Sequence, residues 1–212
     1  MKITNVSRYK GTTYEVEIDD SRKIYLHIDI ITDFSVRTGM EIERDELRKI
    51  IYASNFRRAY QRALFLLDYR DYSEKEMTEK LIKTYKSDAL CKAVLNKLKE
   101  NRFIDDERYA ERMARKLVEV KKFGFRRAKR ELMQKGIDQF MAEDALEVYE
   151  FTFEENLAEL LKTKHSRFLT DETDRKSIEK VKNALVRYGY DFPQINRAVK
   201  EYFENSKYEE DD

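Results

Sequence analysis

The chain has 212 residues, with 43 Lys and Arg against 42 Asp and Glu, one Cys, two His, one Pro, five Gly and no Trp. Charged residues at 40% against 41% apolar are lean for a single large core and suit helices with wide solvated faces. A net charge of +1 confines any polyanion affinity to local clusters of Lys and Arg, the lone Cys91 excludes a disulfide framework, and no apolar run approaches the roughly 20 residues that span a bilayer.

In chain order, residues 1–30 alternate with period two. Tyr14, Val16 and Ile18 share a face, Asp19-Asp20-Ser21-Arg22 turns, and Ile24, Leu26 and Ile28 alternate again. Lys2 to Ser7, ending before a Gly11 turn, adds a third strand. So small a sheet needs a cover, and Glu43 to Ala53, with Leu47, Ile50 and Ile51 at helical spacing, predicts one. From Phe56 onward the apolar spacing is three and four, as in Ala59, Ala63, Leu66 and Leu67, so the remainder is read as helix.

An internal echo organises that remainder. Leu132-x3-Gly136-x-Asp138-x6-Ala145-x3-Tyr149 recurs as Leu185-x3-Gly189-x-Asp191-x6-Ala198-x3-Tyr202. Upstream, Leu81, Val94 and Leu98 form a looser copy, and Ala59 and Ala63 match Ala110 and Ala114. Three copies of a unit of about fifty residues imply tandem three-helix modules. The expected fold is therefore mainly α, with helix-turn-helix-like repeats in an elongated array and a small N-terminal sheet. The expected divisions are an extension over 1–55, repeats over 56–102, 103–151 and 152–206, and an acidic tail over 207–212. Ser73-Glu74-Lys75-Glu76 reads as a capping box starting a helix. Gly136 and Gly189 suit left-handed helix ends, Asp138 and Asp191 suit the caps that follow, and Pro193 suits a first helical turn.

Candidate chemistry is sparse. Pairs among the many carboxylates arise by chance, His27 and His165 lack any neighbour at metal-ligand spacing, and Cys91 lies among Ala89, Leu90, Val94 and Leu95 as a small buried hydrophobe. No glycine pattern makes a phosphate loop. Neither an enzyme, a metal site nor a cofactor is expected. The densest feature is Lys121-Lys122-Phe123-Gly124-Phe125-Arg126-Arg127-Ala128-Lys129-Arg130, extended by Lys135 and relieved only by Glu131. Near-absence of opposite charge favours a polyanion or acidic-partner contact over an ordinary solvated face. Arg126 and Arg130 project from one side while Ala128 and Leu132 turn inward. In Asn101 to Ala110, Asp105 suits a helix cap, Asp106 a favourable acidic first turn, and Phe103 with Ile104 an apolar staple. Tyr60, Tyr69, Tyr72 and Tyr85 recur at helix-face spacing and read as core.

Three phrases in order, Tyr69-Arg70-Asp71-Tyr72-Ser73-Glu74-Lys75-Glu76, Phe103-Ile104-Asp105-Asp106-Glu107-Arg108-Tyr109-Ala110, and Gly124 through Leu132 to Lys135-Gly136-Ile137, resemble the bacterial RecX family. The likeness is strong over about residues 57–150 and looser in the third module. It implies tandem three-helix repeats and a regulator that lies in the groove of the RecA–DNA filament, suppresses ATP hydrolysis and strand exchange, and limits assembly. It brings no catalytic residues. It places Arg126, Arg127, Lys129 and Arg130 against the filament or its single- or double-stranded DNA, and gives Tyr69 and Arg70 a supporting role in the first module. A cytoplasmic monomer without membrane contact is expected. Modules in series would reach about 75 Å, against about 43 Å for one compact globule of this length. The competing expectation is an autonomous DNA-binding protein built of helix-turn-helix-like modules.

Overall fold

A computed structural model describes the backbone of residues 1–210 and the side chains of residues 1–206, so the side chains of the expected acidic tail over 207–212 lie outside the described residues. Two compact units emerge, one formed by residues 1–71 with 77–104, the other by 72–76 with the chain from Asp105 onward.

In the first unit, β1 (Ile3–Lys10), β2 (Thr13–Ile18) and β3 (Arg22–His27) form an antiparallel sheet in sequential order. The turn after β2 holds Asp19 and Asp20 at φ of 49° and 53°, a left-handed conformation that Asp tolerates better than most side chains. The alternation does not continue to Ile28, which instead opens a short helix, α1 (Ile28–Asp33), with the His27 ring accepting the Asp29 amide. Ile3, Val16, Ile18 and Leu26 of the sheet share a core with Ile30, Val36, Ile42, Leu47 and Ile50. The covering helix is far longer than its apolar signal, because α2 (Arg44–Tyr69) runs through the expected division between 55 and 56 without a break. Its buried Ala59 and Ala63 admit close packing against α4 (Asp88–Glu100), whose Leu90, Cys91, Val94 and Leu98 are buried. Burial pushes the Cys91 thiol above its ordinary pKa, so it behaves as an inert small hydrophobe. Between them α3 (Glu74–Tyr85) buries Met77 and Leu81.

The second unit holds α5 (Asp106–Arg115), α6 (Phe125–Gln134), α7 (Gln139–Glu147), α8 (Glu150–Leu160), α9 (Arg175–Tyr188) and α10 (Phe192–Glu210). Both α5 and α8 continue into a widened π turn, Lys116–Val120 and Leu161–His165. Buried Asn156 donates from Nδ2 to the Val118 carbonyl at 2.9 Å, giving a polar group in the first of these turns a partner. A single apolar cluster takes residues from all six helices, among them Leu117, Leu132, Leu146, Leu157, Leu185 and Ile195. The second and third modules are thus fused around one core. Asp105 caps α5, with its Oδ1 accepting the Arg108 amide. Gly136 and Gly189 close α6 and α9 at φ of 94° and 98°, and Asp138 and Asp191 accept the amides of Met141 and Gln194 in the helices that follow. The first module reaches the same turn without glycine: Lys86 stands at φ 50° directly before the Ser87 cap, which explains why its echo is loose.

Candidate macromolecular interface

The basic segment begins in the turn before α6, whose backbone is fixed by the end of α9. The Gly124 amide donates to the Tyr188 carbonyl at 2.8 Å, the Arg126 amide to the Gly189 carbonyl at 3.2 Å, and the buried Tyr190 hydroxyl to the Lys122 carbonyl at 3.0 Å. Burial pushes the Tyr190 phenol far up, which keeps it a donor. The approach is so close that a Cβ on Gly124 would lie 2.6 Å from the Gly189 carbonyl carbon.

This clamp sorts the cations. Arg127 was expected on the partner-facing surface but is structural: its guanidinium stacks 3.8 Å from the centre of the Phe123 ring and donates to the Arg187 carbonyl at 3.1 Å. Lys129 pairs with Glu143, holding that carboxyl below its ordinary range, and Lys122 pairs with Glu159 at 2.9 Å. Lys135 donates to Glu76 at 2.8 Å. Only Lys121, Arg126 and Arg130 of the seven candidates are exposed, and none of these three forms an ion pair among the described residues. Arg126 and Arg130 share one side of α6 with the half-exposed Phe125 and Met133, a shallow strip that is apolar at its base and cationic along its edge. Periodicity anticipated the side on which Arg126 and Arg130 lie and put Phe123 and Glu131 within reach of Arg127, four residues to either side; it could not anticipate the Arg187 carbonyl and Glu143, which come from other helices and take up Arg127 and Lys129.

Beside the strip runs a groove whose lining includes Glu143, Asp144, Glu147 and Glu150. In a helix-turn-helix that reads duplex DNA, the second helix enters the major groove. Here that helix is α7, and it presents Asp144, Glu147 and a 75% exposed Phe140, a face that repels phosphate. An acidic, aromatic face suits a protein surface.

The motif residues also separate. Ser73 and Glu76 belong by packing to the second unit. Ser73 Oγ accepts the Glu76 amide at 3.2 Å, as a cap should, and also donates to the Lys135 carbonyl at 2.5 Å. Glu76 accepts Tyr109 Oη at 3.1 Å besides Lys135, and Asp106 accepts the Glu74 amide at 2.8 Å. Leu81, Leu132 and Leu185 are fully buried. Ile104 is buried while Phe103 stays 46% exposed, so only half of the anticipated staple packs. Tyr72 is buried, Tyr60 and Tyr85 are half-buried, and Tyr69 is 82% exposed, which overturns its reading as core; Arg70 beside it is exposed too, donating to the Asp71 carbonyl.

Models of the first and second three-helix domains of RecX match residues 59–98 and 105–146. The regulatory protein RecX of Streptococcus sanguinis is 30% identical over 199 residues, covering 93% of this chain and 76% of that protein. The chain belongs to the RecX family. The RecX of Geobacillus thermodenitrificans is 32% identical over 172 residues, which make up 81% of this chain but only 64% of that relative's length. A crystal structure of a regulatory protein RecX superposes with a TM-score of 0.74 at 22% identity, covering 94% of this chain and 98% of its own, and so shares the fold. RecX is thus a family of regulatory proteins, and this chain carries its mainly helical fold with tandem three-helix domains and an N-terminal three-stranded sheet. No helix among the described residues is long and apolar enough to cross a membrane.

Proposed function

We propose that this chain regulates the RecA recombinase by binding the RecA–DNA filament as a cytoplasmic monomer, restraining its ATP hydrolysis, strand exchange and assembly. The observation that carries this reading is the strip of Phe125, Arg126, Arg130 and Met133 beside the acid-bearing α7. Its apolar base with cationic edge, next to a phosphate-repelling helix, matches a protein surface with acidic neighbours better than a naked duplex. Membership of a regulatory family and the near-zero net charge support it further.

The test is DNA-dependent ATP hydrolysis by the recombinase, with the protein titrated in. The rate should fall at low molar ratio. An Arg126→Ala/Arg130→Ala variant should require at least about tenfold more protein for the same effect, as expected when two interface arginines of about 1 kcal/mol or more each are lost, while its thermal midpoint stays put because both side chains are exposed. An unchanged hydrolysis rate with the parent protein would refute the reading.

A further inference from the structure

Tyr69 stands within a motif phrase yet contributes almost nothing to packing, and its surroundings give it another task. On α2, Arg58, Arg62, Phe65 and Tyr69 follow at intervals of four, three and four, which places them on one stripe of the helix. All four are exposed, Phe65 by 53%. The Phe65 and Tyr69 rings lie 5.9 Å apart at a 53° tilt, and the Arg62 guanidinium sits 5.4 Å from the centre of the Phe65 ring. Between Leu47 and Leu67 the helix carries five basic residues and no acid; Asp68, beside Tyr69, is the nearest carboxylate in sequence. Arg57 is occupied by Asp29, whereas Arg58 and Arg62 enter no ion pair among the described residues, Arg58 donating only to the Tyr25 carbonyl.

We infer that this stripe of α2 binds single-stranded nucleic acid, with bases stacking on Tyr69 and Phe65 and the backbone phosphates following Arg62 and Arg58. Paired rings bordered by unpaired guanidinium groups supply the two elements that sequence-independent single-strand binding uses, a π-face for any base and cations along the backbone. A duplex is the wrong shape for it, since its bases are stacked on one another and cannot reach rings on a convex helix. The inference goes beyond the recombinase reading and does not need it, because the stripe should hold a bare strand.

Fluorescence anisotropy with a labelled oligothymidylate of about 20 nucleotides tests this, the full chain being titrated at low salt. The parent protein should bind. Phe65→Ala/Tyr69→Ala should weaken binding at least about fivefold, and Tyr69→Trp should retain it, since stacking is the interaction lost and regained. Arg62→Ala should lower the steepness of the salt dependence by about 0.7 in log–log slope. Circular dichroism should be unchanged throughout, because the rings are mostly solvent-facing. Absence of oligonucleotide binding, equal affinity of the double alanine variant, or equally effective competition by a duplex would each overturn the inference. If the double variant loses ATPase modulation while the parent binds no oligonucleotide, the stripe belongs to a protein partner instead. If it loses oligonucleotide binding while modulation persists, the two functions are separate and the inference stands.

Discussion

Three arginines within five residues of α6 show how differently one side-chain type is used. Arg126 and Arg130 spend their charge on solvent, whereas Arg127 is flattened on Phe123 and hydrogen-bonded to a carbonyl of α9. The local sequence holds part of the difference, since Phe123 and Glu131 lie four residues to either side of Arg127, but the carbonyl that fixes its guanidinium is 60 residues away. Tyr69 is the reverse case, where helix spacing suggested a core that its face of α2 does not meet. A further residue reveals itself only in the fold. His165 is buried at the end of the π turn after α8, and its Nε2 has no hydrogen-bond partner among the described residues. Burial first, then the charges of Lys164 and Arg167, hold its imidazole below the ordinary 6.5. The folded chain therefore takes up this proton less readily than the unfolded chain. Stability from this source is complete above pH 6.5 and is lost as the pH falls below it. Urea midpoints measured from neutral pH downward should decline through this window in the parent and stay flatter in His165→Gln. Parallel pH profiles for the two would show that the ring is protonated equally in both states.

At the level of elements, the most legible features were the most local. Ser73, Asp105, Asp138 and Gly189 announce helix ends because a cap is decided by a few neighbouring residues. What the pattern could not tell was which glycine also serves distant packing. Gly136 and Gly189 both have the left-handed φ that glycine favours, but Gly124 has an ordinary φ of −71° and is constrained only by what lies against it. A methyl group there would stand 2.7 Å from the Tyr190 amide nitrogen and as near to the Gly189 carbonyl oxygen, both backbone atoms that cannot swing aside. Gly124→Ala should therefore force α6 from the end of α9 and destabilise the second unit by about 1–3 kcal/mol, the usual cost of overpacking. Helix content at low temperature should stay near that of the parent, because the substitution lies at the cap of α6 and leaves the helix interior intact. A melting temperature equal to the parent's would mean that the contact relaxes freely.

For the whole molecule, threefold repetition foretold the helices but not how cooperative units would be drawn. The chain leaves the first unit after Asp71, supplies Tyr72–Glu76 to the second, and returns at Met77 before departing again after Ile104. A repeat pattern assigns residues to modules by sequence neighbourhood, and the contacts of Ser73 with Lys135 and of Glu76 with Lys135 and Tyr109 cut across that assignment. Cutting the chain at 104 should consequently have unequal results. Residues 1–104 retain every part of the first unit and should unfold cooperatively alone. Residues 105–212 lose the hydroxyl and the carboxylate that satisfy Lys135 and Tyr109, interactions worth roughly 2 kcal/mol together. For a unit of this size that lowers the melting temperature by about 5–10 °C relative to a fragment beginning at residue 72. Calorimetry of the three fragments decides the matter: equal midpoints for the fragments starting at 72 and 105 would reduce Tyr72–Glu76 to a passive connector, and an ordered difference would make it a structural part of the second unit, borrowed from the middle of the first.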